Sequence, residues 1–256
     1  MSTYDNVEPK EKWEFDESVA ECFENMLERS IPQYSVMRTA TANLVFDMIV
    51  AQKFVKGTYN ILDIGCSDGL MIETLVNKFK NYDETNDKES ICPKGQFLGI
   101  DVSQPMLVKA KHRLLEEVIS HKVEIRYCDL KVDFPEGVFD AVTSILTIQF
   151  TPIEYRQHII QNIYNSLSNK NGVFIMVEKV LGNTDRINQL FVKNYYAVKS
   201  ENGYSQDQIE RKRLSLEGVL VPVTNDWNID LLKQAGFKEV DVFWRWMNFV
   251  GYIAIK

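Results

Sequence analysis

Apolar residues follow two rhythms along this chain. Short runs rich in Ile, Val, Leu and Phe, namely YNILDIG, FLGIDV, VEIRYCDL, FDAVTSILTIQF and VFIMVEKV, have the length and composition of strands. Between them lie longer stretches whose apolar positions recur at helical spacing. The pattern predicts helices over about 16–29 and 35–54, separated by SIPQYS and ending near Gly57. A helix from about Leu70 to Lys80 follows the first strand. The polar segment NYDETNDKESICPKG after it reads as a solvated loop. A further helix opens at SQPM, where Ser103 can cap and Pro105 sits in the first turn. Another, from about Ile153 to Leu167, leads through an NKNG turn into the fifth strand.

Alternation of this kind builds a parallel sheet flanked by helices. It breaks after the fifth strand. Residues 183–220 read as two helices around ENGYS, an insertion rather than another βα unit. A helix ending at AGF then precedes KEVDVFWRW and MNFVGYIAI, whose link is so short that the two strands must pair antiparallel. The expected fold is α/β: a mostly parallel seven-stranded sheet with a C-terminal antiparallel hairpin and a helical insertion before the last strands. No internal repeat is evident.

Composition narrows the partners. The 256 residues, 45% hydrophobic and 25% charged, suffice for one large α/β domain with or without an added lobe. A net charge of −7 argues against a broad phosphate-binding surface, so a small-molecule substrate is expected and direct nucleic-acid binding is not. The four cysteines Cys22, Cys66, Cys92 and Cys128 form no CxxC pair, which argues against a metal site or a disulfide framework and for a reducing compartment. The opening MSTYDNVEPKEKW has no apolar signal core, and no run approaches the roughly 20 apolar residues of a membrane helix. A cytoplasmic protein without a membrane partner is expected.

Ligand chemistry concentrates at ILDIGCSDG. Ligands of open α/β sheets bind outside the carboxyl ends of the strands. Gly65 lets backbone approach a ligand and Gly69 lets the next helix pack closely. A dinucleotide fingerprint would need glycine at Ser67 and at Leu70, and neither is there. Asp63, at the strand end, repels a pyrophosphate but can receive an ammonium group. Asp101 ends the second strand, where it can accept from ribose hydroxyls. Asp129 ends the third and can receive an adenine amino group. Each acid alone could equally cap a helix or close a turn, and Cys66 could be a small packing residue. Taken in order, the three suit a cationic, phosphate-free nucleoside bearing an amino acid, and S-adenosylmethionine has that chemistry.

The segments ILDIGCSDG, GIDVSQPM and YCDL and the terminal hairpin resemble the class I S-adenosylmethionine-dependent methyltransferases with their Rossmann-like fold. WEFDESVAECFENMLERSIPQYS, TIQF and NGYSQDQIERKRLSLEGVL resemble the narrower carboxy-S-adenosylmethionine synthase family, over about Trp13 to Lys256. Members make carboxy-S-adenosylmethionine from S-adenosylmethionine and prephenate, for wobble-uridine modification in tRNA. The resemblance implies ligand contacts at Tyr34, at Gly65, Cys66 and Ser67, at Asp101 and Val102, and at Asp129 and Leu130. It gives Arg213 the task of gripping the new carboxylate with its guanidinium fork, with Tyr34 beside it in catalysis. It further implies a helical cap over residues 1–56, a ligand-binding domain over 57–256 and a possible homodimer. The chain departs from the family at Ile145, where an asparagine is usual, and at Ser200 and Glu201, which replace an arginine–alanine pair. Those departures keep a second reading open, methyl transfer to a small acceptor, with Trp244, Trp246 and Phe249 as an aromatic wall or as plain sheet core. Glu178 and Lys179 are further pocket candidates, and His158 reads as a surface residue.

Overall fold

The structure is a computed structural model, describing residue 7 and residues 11–53, 58–85 and 94–256. Two helices come first, α1 (Glu17–Ser30) and α2 (Tyr34–Lys53). Asp16 caps α1 by accepting from Val19 N at 3.0 Å. Strand β1 (Thr58–Ile64) leads into α3 (Leu70–Thr85), and β2 (Lys94–Asp101) into α4 (Gln104–Arg113) and the short α5 (Leu115–Ile119). Ser103 caps α4, with Pro105 in its first turn, as the sequence predicts. Then come β3 (Val123–Tyr127), β4 (Ala141–Ile145), α6 (Ile153–Ser166) and β5 (Val173–Leu181). The insertion is α7 (Asp185–Glu201) and α8 (Gln206–Leu216). A two-residue β6 (Val223–Thr224), α9 (Asn225–Ala235), β7 (Glu239–Trp246) and β8 (Phe249–Ile255) complete the chain.

The sheet order is β3-β2-β1-β4-β5-β8-β7, with β1 to β5 parallel and β8 antiparallel to both β5 and β7. The expected seven strands are joined by an eighth, since β6 pairs with the end of β5 at Val180 and Leu181. Two residues of pairing are too short to leave a strand signature in the sequence. A second difference lies in the polar segment after β1: its first five residues, Asn81–Thr85, continue α3. They include neither Pro nor Gly, so nothing local stops the helix. The remainder through Pro93 lies outside the described residues, Cys92 included.

The central strands are buried on both faces, as a helix-covered parallel sheet requires. On one face α2 and α3 contribute Phe46, Ile49, Leu75 and Phe79, and Phe79 stacks on Tyr59 of β1 at 4.4 Å between ring centres. On the other, Ile159, Ile160 and Ile163 of α6 pack with Leu231 and Leu232 of α9. Strand order reverses between β1 and β4, which opens a crevice above the strand tips. The helices α1, α7 and α8 lie over that crevice. Trp13 N donates to Ser215 O (3.0 Å), Arg29 Nε to Asn202 O (2.9 Å) and Asn202 Nδ2 back to Arg29 O (2.9 Å). Among the described residues no helix is long and apolar enough to cross a membrane.

Candidate functional site

A cavity of about 400 Å³ occupies the crevice. Its floor is the turn after β1. Asp63, one residue before the end of β1, is almost wholly buried opposite Thr143 of β4, whose hydroxyl donates to Asp63 Oδ1 at 2.6 Å. Burial, with the Asp101 charge adding to it, pushes the Asp63 carboxyl up to about 7 against the opposing Thr143 hydrogen bond. Gly65 then takes a left-handed φ of +67°, and a Cβ there would stand 2.2 Å from Thr147 Oγ1. The glycine is thus required by the close approach of the turn to the loop after β4.

Asp101 at the tip of β2 is held from two sides. Ser67 N donates to its Oδ2 and Ser103 N to its Oδ1, both at 2.9 Å. Burial nonetheless raises its pKa, so the carboxylate gains from a further donor such as a ribose hydroxyl. Strand β3 stops at Tyr127, earlier than its apolar run predicts, although Cys128 N still donates to Asp101 O at 3.1 Å. Asp129 and Leu130 therefore sit in a turn beyond the strand, with the Asp129 carboxylate 3.4 Å from Lys131 Nζ. Tyr34 opens α2 with its ring buried in the cavity wall and its hydroxyl pKa raised by burial.

All nine positions expected to contact the ligand line this one cavity: Tyr34, Asp63, Gly65, Cys66 and Ser67 on one side, Asp101, Val102, Asp129 and Leu130 on the other. Arg213 is placed elsewhere. Its side chain is 42% exposed and forks onto Glu210 at 2.9 and 2.7 Å. The preceding residue, Lys212, lines the cavity instead, with Nζ 4.4 Å above the Trp13 ring. Of the aromatic residues in the hairpin, Phe249 reaches the cavity, while Trp244 and Trp246 pack with Tyr34 and Tyr195 behind it. Ile145 lines the cavity at the tip of β4. His158 lies on the exposed face of α6, 3.2 Å from Asn162 Nδ2.

Three features went unread in the sequence. Asp68, 1% exposed at the end of the turn, receives Arg113 Nη2 at 2.6 Å. The same guanidinium reaches Glu73 at 2.9 Å and Glu24 at 3.2 Å, so one side chain of α4 ties the turn to α3 and α1, and the carboxylates raise its pKa despite burial. Second, the TIQF segment forms a single 3-10 turn, Ile148–Phe150. Gln149 Oε1 accepts from Lys179 N at 2.8 Å and Glu178 Oε1 from Ile148 N at 3.0 Å. Arg156 donates to three carbonyls around this turn, those of Thr151, Gln149 and Val221. Glu178 therefore faces the turn and not the cavity, and burial pushes its carboxyl up to about 8. Third, Tyr195 and Lys199 of α7 form part of the cavity wall above Lys179.

A dominantly parallel sheet with a reversed last strand, carrying carboxylates at successive strand tips and no glycine-rich phosphate loop, is the arrangement of class I S-adenosylmethionine-dependent methyltransferases. A family model described as a methyltransferase domain matches residues 62–174. Solved structures share the fold at low identity. Human N-acetylserotonin methyltransferase in complex with SAM has a TM-score of 0.56 at 13% identity, covering 94% of this chain and 55% of that one. The DhpI-SAM-HEP complex has 0.57 at 15%, covering 94% and 93%. Within that class the chain belongs to the carboxy-S-adenosyl-L-methionine synthase family. It is 37% identical to the synthase of Methylococcus capsulatus over 94% of this chain and 93% of the relative. With the synthase of Nautilia profundicola it shares 35% over 96% of each.

Proposed function

We propose that the protein converts S-adenosylmethionine and prephenate into carboxy-S-adenosylmethionine and phenylpyruvate. The observation that carries this reading is the donor set of the cavity. Four carboxylates line one nucleoside-sized space; Asp68 is tied to Arg113, which leaves Asp63, Asp101 and Asp129 for a ligand, with Asp101 pre-oriented by two backbone N–H groups and no glycine-rich phosphate cradle beside it. These groups fit S-adenosylmethionine: Asp63 faces the ammonium, Asp101 the ribose hydroxyls, and Asp129 with Leu130 the adenine. For atoms to balance, prephenate loses one carboxylate as carbon dioxide, which joins the sulfonium methyl carbon. The methyl proton and the ring hydroxyl of prephenate leave together as water, and the ring becomes aromatic. The protein's part is to hold two charged substrates in line and to exclude bulk water. The N-terminal helices with α7 and α8 act as the cap that does so. Arg213 is the guanidinium expected to meet the product's carboxylate; it forks onto Glu210 outside the cavity, so that role requires it to leave Glu210 and α8 to turn it inward.

Mass spectrometry of the ligand carried through purification tests the reading. A species heavier than S-adenosylmethionine by one carbon dioxide is expected, and its formation in vitro should require prephenate. Arg213→Ala should lose retention of that species while keeping S-adenosylmethionine, and equal loss of both would remove Arg213 from the assignment. Ile145, an apolar side chain in the cavity wall, favours methyl transfer to an apolar acceptor as the second reading. Recovery of only S-adenosylmethionine or S-adenosylhomocysteine, with no turnover of prephenate, would select it. Buried, unbridged Cys22, Cys66 and Cys128 support a reducing, cytoplasmic setting, and the exposed apolar residues Ile187, Leu190 and Leu214 of the insertion support a homodimer. The net charge of −7 supports a small-molecule substrate with no direct nucleic-acid contact.

A further inference from the structure

The end of the cavity away from the three acids holds a cation with no assigned task. Sheet order fixes the layout: the tips of β2 and β1 supply Asp101 and Asp63, then β4 supplies Ile145, and β5 supplies Lys179. A nucleoside lying over β3, β2 and β1 leaves the space above β4 and β5 to the second substrate. Lys179 lines that space with Tyr195, Lys199 and Phe249. Its ammonium lies 5.0 Å from the centre of the Tyr195 ring, and Lys199 Nζ lies 5.1 Å from the same ring. Its backbone is fixed, with Lys179 N donating to Gln149 Oε1 at 2.8 Å and the residue pairing with Phe249 of β8. The alternation of the strand sends Glu178 to the turn after β4 and Lys179 to the cavity.

Among the described residues no carboxylate pairs with the Lys179 ammonium. Desolvation alone pulls its pKa down to about 8, so the folded protein bears the cost of a poorly hydrated, unpaired cation. A ring face offsets part of that cost, and an anion would offset more. Lys199 Nζ lies against the same ring, so the ring is shared by two lysine side chains.

We propose that Lys179 binds a carboxylate of the second substrate, and specifically the carboxylate which that substrate keeps. The inference rests on the synthase reading and deepens it by naming a specificity-determining residue. The choice between the two carboxylates of prephenate follows from the charge flow. The departing carboxylate loses its negative charge as carbon dioxide forms, so a cation paired with it would stabilise the ground state more than the transition state and slow the reaction. The pyruvyl carboxylate keeps its charge throughout. A lysine there binds substrate and transition state alike, lowering KM and leaving kcat nearly unchanged.

The test uses the full chain and needs no turnover. Phenylpyruvate, which carries only the retained carboxylate, is titrated calorimetrically into the protein saturated with S-adenosylhomocysteine, as wild type, Lys179→Gln and Lys179→Arg. The Gln variant should bind phenylpyruvate on the order of 10- to 100-fold more weakly, and the Arg variant should recover most of that loss. S-Adenosylhomocysteine affinity and melting temperature serve as the controls for folding and should stay within about twofold and a few degrees of wild type. In turnover, Lys179→Gln should raise KM for prephenate by a similar factor with kcat held within about threefold. Equal phenylpyruvate affinity in wild type and Lys179→Gln overturns the proposal, as does a wild type that binds neither phenylpyruvate nor prephenate. A wild type that binds phenylpyruvate through Lys179 but forms no carboxylated product leaves the subsite standing and sinks the synthase reading instead.

Discussion

Asp63 shows how one residue couples charge, stability and ligand. Its folded-state carboxyl holds a proton up to about pH 7, against an ordinary value of 3.8. Between those values the folded protein carries the extra proton, so the free protein loses stability as pH rises through that window. An incoming ammonium reverses the preference by favouring the carboxylate. Binding of S-adenosylmethionine should therefore release a proton below about pH 7 and tighten as pH rises toward 8. Calorimetry in buffers of different ionisation enthalpy reads both effects. Asp63→Asn keeps an acceptor for Thr143 while removing the buried charge. It should raise the melting temperature of the free protein at pH 8 and weaken S-adenosylmethionine about tenfold or more. A variant less stable than wild type with unchanged affinity would make Asp63 a packing residue. Gly65 carries a steric argument in place of the electrostatic one. Gly65→Ala has to hold φ +67° and push Thr147 aside, at a cost of about 1–3 kcal/mol in urea unfolding.

Elements carry these side chains, and they were unequally legible. The five parallel strands announced themselves as apolar runs because both faces of the central ones are buried, and two of the three acids, Asp63 and Asp101, could be placed from strand ends alone. The end of β3 could not, because Cys128 continues the apolar pattern while the backbone is already turning. On α8, Ile209, Ser215 and Leu216 mark the inward face, and Lys212 lies near its middle with Arg213 about 100° further round. Neighbouring cations in QDQIERKR differ too little in sequence for a one-residue rotation to show. The Arg113 brace was illegible for another reason: its partners Glu24, Asp68 and Glu73 come from three separate segments that meet only in the fold. That brace makes its own prediction. Arg113→Met strands the buried Asp68 carboxylate and should cost on the order of 3–5 kcal/mol, measured by urea denaturation. Adding Asp68→Asn should return a large part of the loss, since the unpaired charge and not the missing contact is the main penalty. If the double variant is no more stable than the single one, the bridge is not what orders the turn.

At the scale of the whole molecule, the acids sit on a rigid sheet and the cations on or beneath a helical cover. Asp63 and Asp101 are fixed by strand tips, whereas Lys199 and Lys212 arrive on α7 and α8. The cover is assembled from sequence-distant parts: α1 reaches α7 through Arg29 and Asn202, Ser30 Oγ donates to Tyr204 OH at 3.3 Å, and Ser103 Oγ beside Asp101 donates to Phe15 O at 2.6 Å. The seam has an apolar part as well, where Trp13, Phe23 and Met26 pack with Leu216 and Val219. It lacks the paired-strand hydrogen-bond ladder of the sheet beneath it and should open at lower free energy. We predict that ligand exchange requires the seam to part, so that its strength sets the exit rate. Asn202→Ala with Tyr204→Phe removes two of the hydrogen bonds without touching the cavity floor, and the Tyr204 ring remains as a platform for Arg29, which sits 4.0 Å from its centre. At roughly 1 kcal/mol for each bond, S-adenosylmethionine should dissociate about 5- to 30-fold faster in stopped-flow displacement. Amide exchange in α1 should rise in the same variant while exchange in β1 and β4 stays as in wild type. Unchanged dissociation despite faster exchange in α1 would mean that the ligand leaves by another route and that the helices contribute charge to the cavity without gating it.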